Sequence, residues 1–365
     1  MDNESKVAIV VNGTARAVDK NVLSYLETVA DELKIKLFVS RSLSEAEHLA
    51  KKIINDGFDV VMCGGGDGTF KQCMTNIMKL QPEKPPAFGV LSLGTGNSIA
   101  TALGAHPIII SAFGNSGAEE ELAQAKDLGA RAIKKMLVIN GIYTPFAGIG
   151  LDSWVLSDYE KVKRFFDKIP IMPKRWRGKW DYFWAIVLFS SWRFMRNPLP
   201  EVIIKNTEGI AYQINQEGDK IYNAIPAGEV LYKGKISLVA ASSIRYYGWG
   251  IRLFPQANTM SDYFQLRISA MGFGETVRNL PALFSGELFG QNVFDFACQN
   301  ISIEISDKSA NPPSKHYAKR YRKKYSDGIP FQIGGDPAGK RKIINIKSED
   351  VEVVIGAKKP PKSPT

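Results

Sequence analysis

Short apolar runs and segments of helical periodicity alternate from Lys6 to Ala100, and this alternation limits the first part of the chain to very few folds. Lys6–Val11, Ile35–Val39, Phe58–Met62 and Phe88–Ser92 read as buried strands. Between them, Val18–Leu33 and Ser44–Asn55 carry apolar residues on one helical face, with Ser44 as the expected N-cap and Gly57 as the terminator of the second helix. A third helical segment runs from Phe70 to Leu80. Strands separated by helices make a parallel sheet covered by helices, and such sheets bind ligands beyond the carboxyl ends of their strands. Two glycine loops fall at those ends. Met62-Cys63-Gly64-Gly65-Gly66-Asp67-Gly68-Thr69-Phe70 follows the third strand, and Leu93-Gly94-Thr95-Gly96-Asn97 follows the fourth. Unpaired amides at a helix start attract a polyanion, and glycines let it approach. Asp67 is suited to orient a hydroxyl or a metal-bound water and Thr69 to donate to a phosphate oxygen, whereas a plain tight turn feeding a helix is the alternative for three glycines alone.

After about Ala132 the pattern changes to short β-like runs. These are Met136–Asn140, Ile142–Phe146, Glu201–Lys205, Tyr212–Asn215, Tyr222–Ile225, Lys235–Ala240, Phe264–Ala270 and Asn300–Ile305, several of them separated by turn signals such as Asn140-Gly141 and Glu217-Gly218-Asp219. The expected fold is therefore an α/β N-terminal nucleotide-binding domain with a parallel sheet, residues 1–132, followed by an antiparallel β-rich C-terminal domain, residues 133–355. The Pro- and Lys-rich tail, residues 356–365, is expected to be disordered.

With 365 residues there is material for two cores, and 47 Lys and Arg against 37 Asp and Glu leave a formal charge of +10, which favours an anionic partner. Three cysteines without metal-ligand spacing point to a reduced, cytoplasmic setting. The start of the chain lacks the pattern of a signal peptide, and no apolar run is long enough to cross a bilayer, so membrane contact is expected to be peripheral. Two segments stand out. One sets Lys174, Arg175, Arg177 and Lys179 before the aromatic run Tyr182–Phe189, which suits an interfacial element or a core helix with a solvated entry. The other interleaves Lys315, Lys319, Arg320, Arg322, Lys323 and Lys324 with Tyr317, Tyr321 and Tyr325, which suits anionic lipid, single-stranded nucleic acid or a solvated loop. His48, His106 and His316 form no zinc pattern, and no Gly-x-Ser-x-Gly elbow suggests a lipase.

Cys63-Gly64-Gly65-Gly66-Asp67-Gly68-Thr69, followed by Leu93-Gly94-Thr95-Gly96-Asn97-Ser98-Ile99-Ala100, resembles the diacylglycerol kinase catalytic domain shared by sphingosine, ceramide and bacterial lipid kinases. The first loop alone would also fit NAD kinases or phosphofructokinases, and the second separates them. Val10-Val11-Asn12 is similar to the family's first-strand Asn-Pro turn, with Gly13 in place of Pro, and Ser40 stands where the family usually has a nucleotide-contacting Thr. Phe146–Asp152 resembles the Gly-x-Gly-x-Asp turn that opens the lipid half, and Arg177–Tyr182 a Gly-Lys-x-x-Tyr helix entry. Phe331-Gln332-Ile333-Gly334-Gly335-Asp336-Pro337 aligns with Gln-x-Asp-Gly-Glu-Pro, Gly334 replacing that Asp and Asp336 that Glu.

The resemblance implies an ATP-dependent, Mg²⁺-requiring lipid kinase that phosphorylates a diacylglycerol or sphingoid-type hydroxyl in a cleft between the two domains. Asn12, Ser40, Gly64, Gly65, Gly66, Asp67, Gly68, Thr69, Gly94, Thr95, Gly96 and Asn97 would hold the nucleotide, with Asp67 on the metal. Asp336 would be the base, the alternative being a turn aspartate before Pro337. A structural Mg²⁺ would lie on Asp262 with the Thr259 and Phe264 carbonyls, unless this is an ordinary turn. Anionic phospholipid is the partner implied; nucleic acid is not, and a homodimer is compatible. The rival readings are an NAD kinase-like enzyme and a decayed kinase scaffold that binds lipid or nucleic acid, the latter motivated by Gly334 and Asp336.

Overall fold

The computed structural model describes residues 5–15, 17–94, 97–111, 114–154, 156, 198–215, 221–247, 251–257, 260–287 and 290–356. The basic and aromatic segment at 161–196, the turn at 217–219, Thr95, Gly96, Thr259 and the tail beyond Gly356 lie outside the described residues.

The chain divides into two units. The first comprises residues 1–145, 244–252 and 349–365, and the second 146–243 and 253–348. In the first unit the order is β1 (Val7–Asn12), α1 (Lys20–Glu32), β2 (Lys36–Ser40), α2 (Leu43–Asn55), β3 (Val60–Gly65), α3 (Asp67–Met78), β4 (Ala87–Ser92), α4 (Ser98–Leu103), β5 (Ile109–Ser111), β6 (Gly114–Ser116), α5 (Ala118–Lys126), β7 (Arg131–Ile139) and β8 (Ile142–Thr144). Strands β4, β3, β1 and β2 lie side by side in that order and are parallel, as the alternation requires. Val7, Ile9, Val11, Val60 and Met62 bury against Val22, Leu26 and Val29 of α1, each such side chain contributing about 1.5–3 kcal/mol.

Helix starts follow local chemistry. Asp19 accepts from the Val22 amide at 2.9 Å to begin α1. Helix α2 is capped by Ser42 rather than Ser44: its hydroxyl accepts from the Glu45 amide at 3.1 Å while the Glu45 carboxylate accepts from the Arg41 amide at 2.6 Å. The cap falls on Ser42 because its hydroxyl reaches the amide three residues on, while Glu45 returns a bond to the residue just before the cap. Gly57 ends the turn after α2 at a φ of 67°.

The second unit contains β9 (Phe146–Gly150), β10 (Glu201–Glu208), β11 (Ala211–Ile214), β12 (Ile221–Ile225), β13 (Val230–Lys235), β14 (Leu238–Ser242), β15 (Phe264–Ser269), α6 (Phe273–Arg278), α7 (Leu280–Ser285), β16 (Val293–Cys298), β17 (Asn300–Ile305), α8 (Lys315–Tyr325), β18 (Ile329–Ile333), β19 (Asp336–Arg341) and β20 (Ile343–Val354) as far as Ser348, the rest of β20 being part of the first unit. One antiparallel sheet runs β12-β11-β16-β15-β14-β9-β18-β19, and its central strands β9, β14 and β15 are buried throughout. Strands β13, β10, β17 and the first half of β20 form a second antiparallel set.

Residues 133–145 and 349–356 belong to the first unit, so the expected boundary at 132/133 falls at 145/146, and the chain's end does not stay with the β-rich half. The physical reason is strand pairing over long separations. Strand β7 pairs with β8 through the Asn140-Gly141 turn, both residues at positive φ, and also with β20. Arg131–Glu352 at 3.6 Å and Lys135–Asp350 at 3.0 Å accompany that second pairing, and Val353 lies beside Phe88 of β4.

Candidate active site

In the first unit the two glycine loops meet. Leu93 donates its amide to the Gly65 carbonyl at 3.2 Å. A Cβ on Gly66 would touch Gly94 Cα at 3.4 Å, and one on Gly94 would overlap Gly66 Cα outright. Gly64 lies against Val11, where a Cβ would come within 2.8 Å of Cγ2, and a Cβ on Gly65 would overlap the Thr69 hydroxyl. These glycines are therefore fixed by close approach. Gly68 differs, because a Cβ there meets no protein atom within 4 Å. Helix α3 starts at Gly66 without a side-chain cap, and among the described residues no hydrogen bond engages the Asp67 or Gly68 amide. The start of α3 thus presents open space and unpaired donors, the requirement for a phosphate.

Asp67 has a role that its position in the sequence does not reveal. Its Oδ2 accepts from the Ser98 amide and its Oδ1 from the Ile99 amide, each at 3.1 Å, so the carboxylate caps α4 from outside. Each oxygen keeps a lone pair, so this single carboxylate could fill one position on a divalent ion, directly or through water. An alanine at 67 also leaves two amides of α4 without their acceptor. Asn97 takes a left-handed conformation, φ 46°, and its Oδ1 accepts from the Gly94 amide at 3.0 Å, which closes the second loop. Asn12 accepts from the Thr14 amide and hydroxyl at 3.0 and 2.7 Å and reaches Thr69 Oγ1 at 3.5 Å. Ser40 is buried and donates to the Val11 carbonyl at 3.4 Å. Gly13, in the place of the resembling family's proline, donates its amide to the Ser40 carbonyl at 2.8 Å, a bond that proline lacks. Asn12, Ser40, Gly64–Thr69, Gly94 and Asn97 thus gather at the carboxyl ends of β1 to β4. Behind them Cys63 and Cys73 are buried free thiols, and the hydrogen bond to Cys73, with burial, pushes the Cys63 thiol up.

In the second unit, Gly334 and Gly335, at φ 58° and 84°, make the two-residue turn between β18 and β19, with Ile333 opposite Asp336. Gln332 fixes that turn: its Oε1 accepts from the Gly335 amide at 2.8 Å while its Nε2 donates to Asp152 Oδ2 at 3.1 Å. Asp152 in turn accepts from the Ser153 amide at 2.6 Å. The turn exposes Asp336 at the head of β19. Sequence pattern found Asp152, Gln332 and Asp336; it had no means of showing that the first two tie down the third's turn. Asp262 lies in an exposed turn before Phe264, the first residue of β15, and its carbonyl accepts from Gln299 Nε2 at 3.5 Å. Among the described residues no group of three or more His, Cys, Asp and Glu could hold a metal, and no helix is long and apolar enough to cross a membrane.

A parallel α/β unit with paired glycine loops at its strand ends, followed by an antiparallel β-rich unit, has the fold of the diacylglycerol kinases. Residues 6–128 match the family described as the diacylglycerol kinase catalytic domain, as the loops implied. "Probable lipid kinase YegS-like" proteins from Yersinia pestis (strain Pestoides F) and Yersinia pseudotuberculosis serotype O:1b (strain IP 31758) are each 30% identical over 94 residues, 26% of this chain and 31% of theirs. The chain thus matches about a third of those relatives' length. A putative diacylglycerol kinase from Bacillus anthracis str. Sterne superposes with a TM-score of 0.63 over 98% of this chain and 99% of its own, at 16% identity. A second diacylglycerol kinase structure from the same strain gives 0.60 at 14% identity with the same coverage.

Proposed function

We propose that this chain is an ATP-dependent lipid kinase that transfers the γ-phosphoryl group to a hydroxyl of a diacylglycerol or sphingoid-type lipid. The observation that carries the reading is the contact of the two glycine loops at the open start of α3. The amides of Asp67 and Gly68 and the Thr69 hydroxyl would bind phosphate oxygens, and Asp67 would hold Mg²⁺. The ion supplies charge neutralisation on the phosphates when bound. Phosphoryl transfer depends mainly on positioning and electrostatics, so a rigid backbone cradle matters more than a reactive nucleophile. In the step itself the lipid oxygen bonds to the γ-phosphorus, the bond to the bridging oxygen of the departing ADP breaks, and Asp336 takes the hydroxyl proton.

Radiolabelled ATP with diacylglycerol, monoacylglycerol, ceramide, sphingosine and NAD as acceptors tests the assignment. Label in a lipid product is the expected result. Label in NAD alone would establish the NAD kinase reading, and no transfer with retained ATP binding would leave a decayed scaffold.

The glycines provide a sharper test of the cradle. Gly68→Ala has room in the protein and adds a helix former inside α3, so melting temperature holds or rises while the new methyl obstructs the phosphate and MgATP affinity falls by more than about tenfold. Gly94→Ala drives a methyl into Gly66 and costs about 1–3 kcal/mol of stability. Calorimetric titration and thermal melts on both variants separate the effects; a Gly68→Ala protein that binds MgATP normally would remove the cradle.

A further inference from the structure

The basic and aromatic stretch at 315–325 is a helix, α8, and its two residue types are sorted onto different faces. Ser314 caps it, accepting from the Tyr317 amide at 3.1 Å. Tyr321 and Tyr325 are buried, and Tyr317, Tyr321 and Tyr325 form a stack along one side with ring centroids 6.5 and 4.8 Å apart. The Tyr321 hydroxyl donates to the Ser306 carbonyl at 3.2 Å and accepts from the Glu201 amide at 2.7 Å; the Tyr325 hydroxyl donates to the Pro198 carbonyl at 2.6 Å. Burial pushes the Tyr321 phenol up to about 12, so this anchor stays neutral. Those bonds clamp α8 across one end of the strand set, where Glu201 of β10 pairs with Lys235 of β13, Val202 with Ile305 of β17, and Glu304 of β17 with Ile343 of β20.

The opposite face is cationic. Lys315, His316, Lys319, Arg320, Arg322 and Lys323 are exposed, α8 contains no acidic residue, and none of its exposed Lys and Arg has an ion-pair partner among the described residues. The charge extends beyond the helix. Lys235 Nζ lies 5.9 Å from the Tyr317 ring centroid. At the other end Gly328 packs against the Arg341 carbonyl, which brings exposed Lys340, Arg341 and Lys342 alongside. Next to them Ile343 is 58% exposed. The nearby acids are fewer than the cations: the Glu201 carboxylate accepts from the Ser309 hydroxyl and Ala310 amide at 2.7 and 2.8 Å, Asp307 and Asp327 are single exposed flanking charges, and Glu304 stands exposed across from Ile343.

We propose that the cationic face of α8, flanked by Lys235 and by Lys340, Arg341 and Lys342, is the surface on which this chain docks to an anionic lipid bilayer. A helix of 11 residues is about 16 Å long, enough to lay several cations on headgroups at once. An exposed isoleucine beside the cations suits shallow insertion. Single-stranded nucleic acid is disfavoured by the same geometry, because the rings that would stack on bases are turned into the protein. The docking surface does not depend on the catalytic reading, and its test is run without nucleotide.

The full-length chain is sedimented with phosphatidylcholine vesicles with and without phosphatidylglycerol. Salt-sensitive binding to the anionic vesicles alone is expected, and Lys315→Gln, Lys319→Gln and Lys323→Gln combined weaken it by on the order of a hundredfold with the melting temperature unchanged. If the variant melts earlier, single charge removals at Arg320 and Arg322 give the same ranking through their effect on the salt slope. Equal binding to neutral vesicles, a triple variant that binds like the parent, or tighter binding to RNA than to anionic vesicles would overturn the proposal.

Discussion

Asp336→Asn lowers the rate of lipid phosphorylation by about 10²–10⁴-fold, the range for removing a positioned general base, while leaving MgATP affinity and melting temperature unchanged. The separation is expected because Asp336 is exposed at the head of β19 and its turn is held by other atoms, namely the backbone of Gly334 and Gly335 and the side chain of Gln332. A carboxamide of the same shape leaves that turn intact and cannot accept the proton. Asp336→Glu restores the side chain usual in the family that the motif resembles and retains activity within about tenfold of the parent. Steady-state rates with a lipid acceptor, set beside nucleotide titrations, check both variants. An Asp336→Asn enzyme with parental turnover would assign the base elsewhere.

The largest effect on stability is expected in the β-rich unit, far in sequence from either glycine loop. Arg267 of β15 and Asp295 of β16 are cross-strand partners, paired at 2.8 and 2.9 Å through both carboxylate oxygens and exposed by only 1% and 2%. Gln265 Nε2 adds a bond to Asp295 at 2.7 Å, and Gln265 Oε1 accepts from the Gln256 amide at 2.9 Å. Asp295→Ala leaves a guanidinium buried without its counter-charge and costs about 3–5 kcal/mol. Replacing both partners by apolar residues, Arg267→Met with Asp295→Leu, recovers most of that loss, because an ion pair spends much of its attraction on desolvation. Urea unfolding of Arg267→Met, of Asp295→Leu and of the double variant closes the cycle, with Asp295→Ala measured beside them. Asp295→Ala at parental stability would mean that the pair is solvated in solution.

The parallel half of the fold was legible because its signals are local. Strands β1 to β4 are short apolar runs, α1 and α2 repeat apolar residues at helical spacing, and the glycines mark each place where a strand yields to a helix. The β-rich half is less legible in the sequence. Lys235–Ala240 reads as one strand and is the end of β13 and the start of β14; β13 itself, β16 and the strands β18 to β20 are absent from the short runs singled out above, although β20 alternates exposed and buried residues from Ile343 to Lys347. The Tyr and Lys stretch at 315–325 carries composition without orientation, and which of its faces turns inward is set by the tyrosine hydroxyls meeting Ser306, Glu201 and Pro198.

By itself the sequence determined the α/β class of the first half, the antiparallel character of the second, and which residues line the two loops, since each follows from spacing along a few consecutive positions. Tertiary structure alone decided that Asp67 caps α4, that Gly66 and Gly94 touch, and that the last residues of β20 pair with β4. Each of these joins atoms dozens to hundreds of residues apart. Periodicity shows which face of an element is apolar, but the atom across from that face is set only when the sheet order closes and hydrogen-bond donors must find acceptors at about 3 Å.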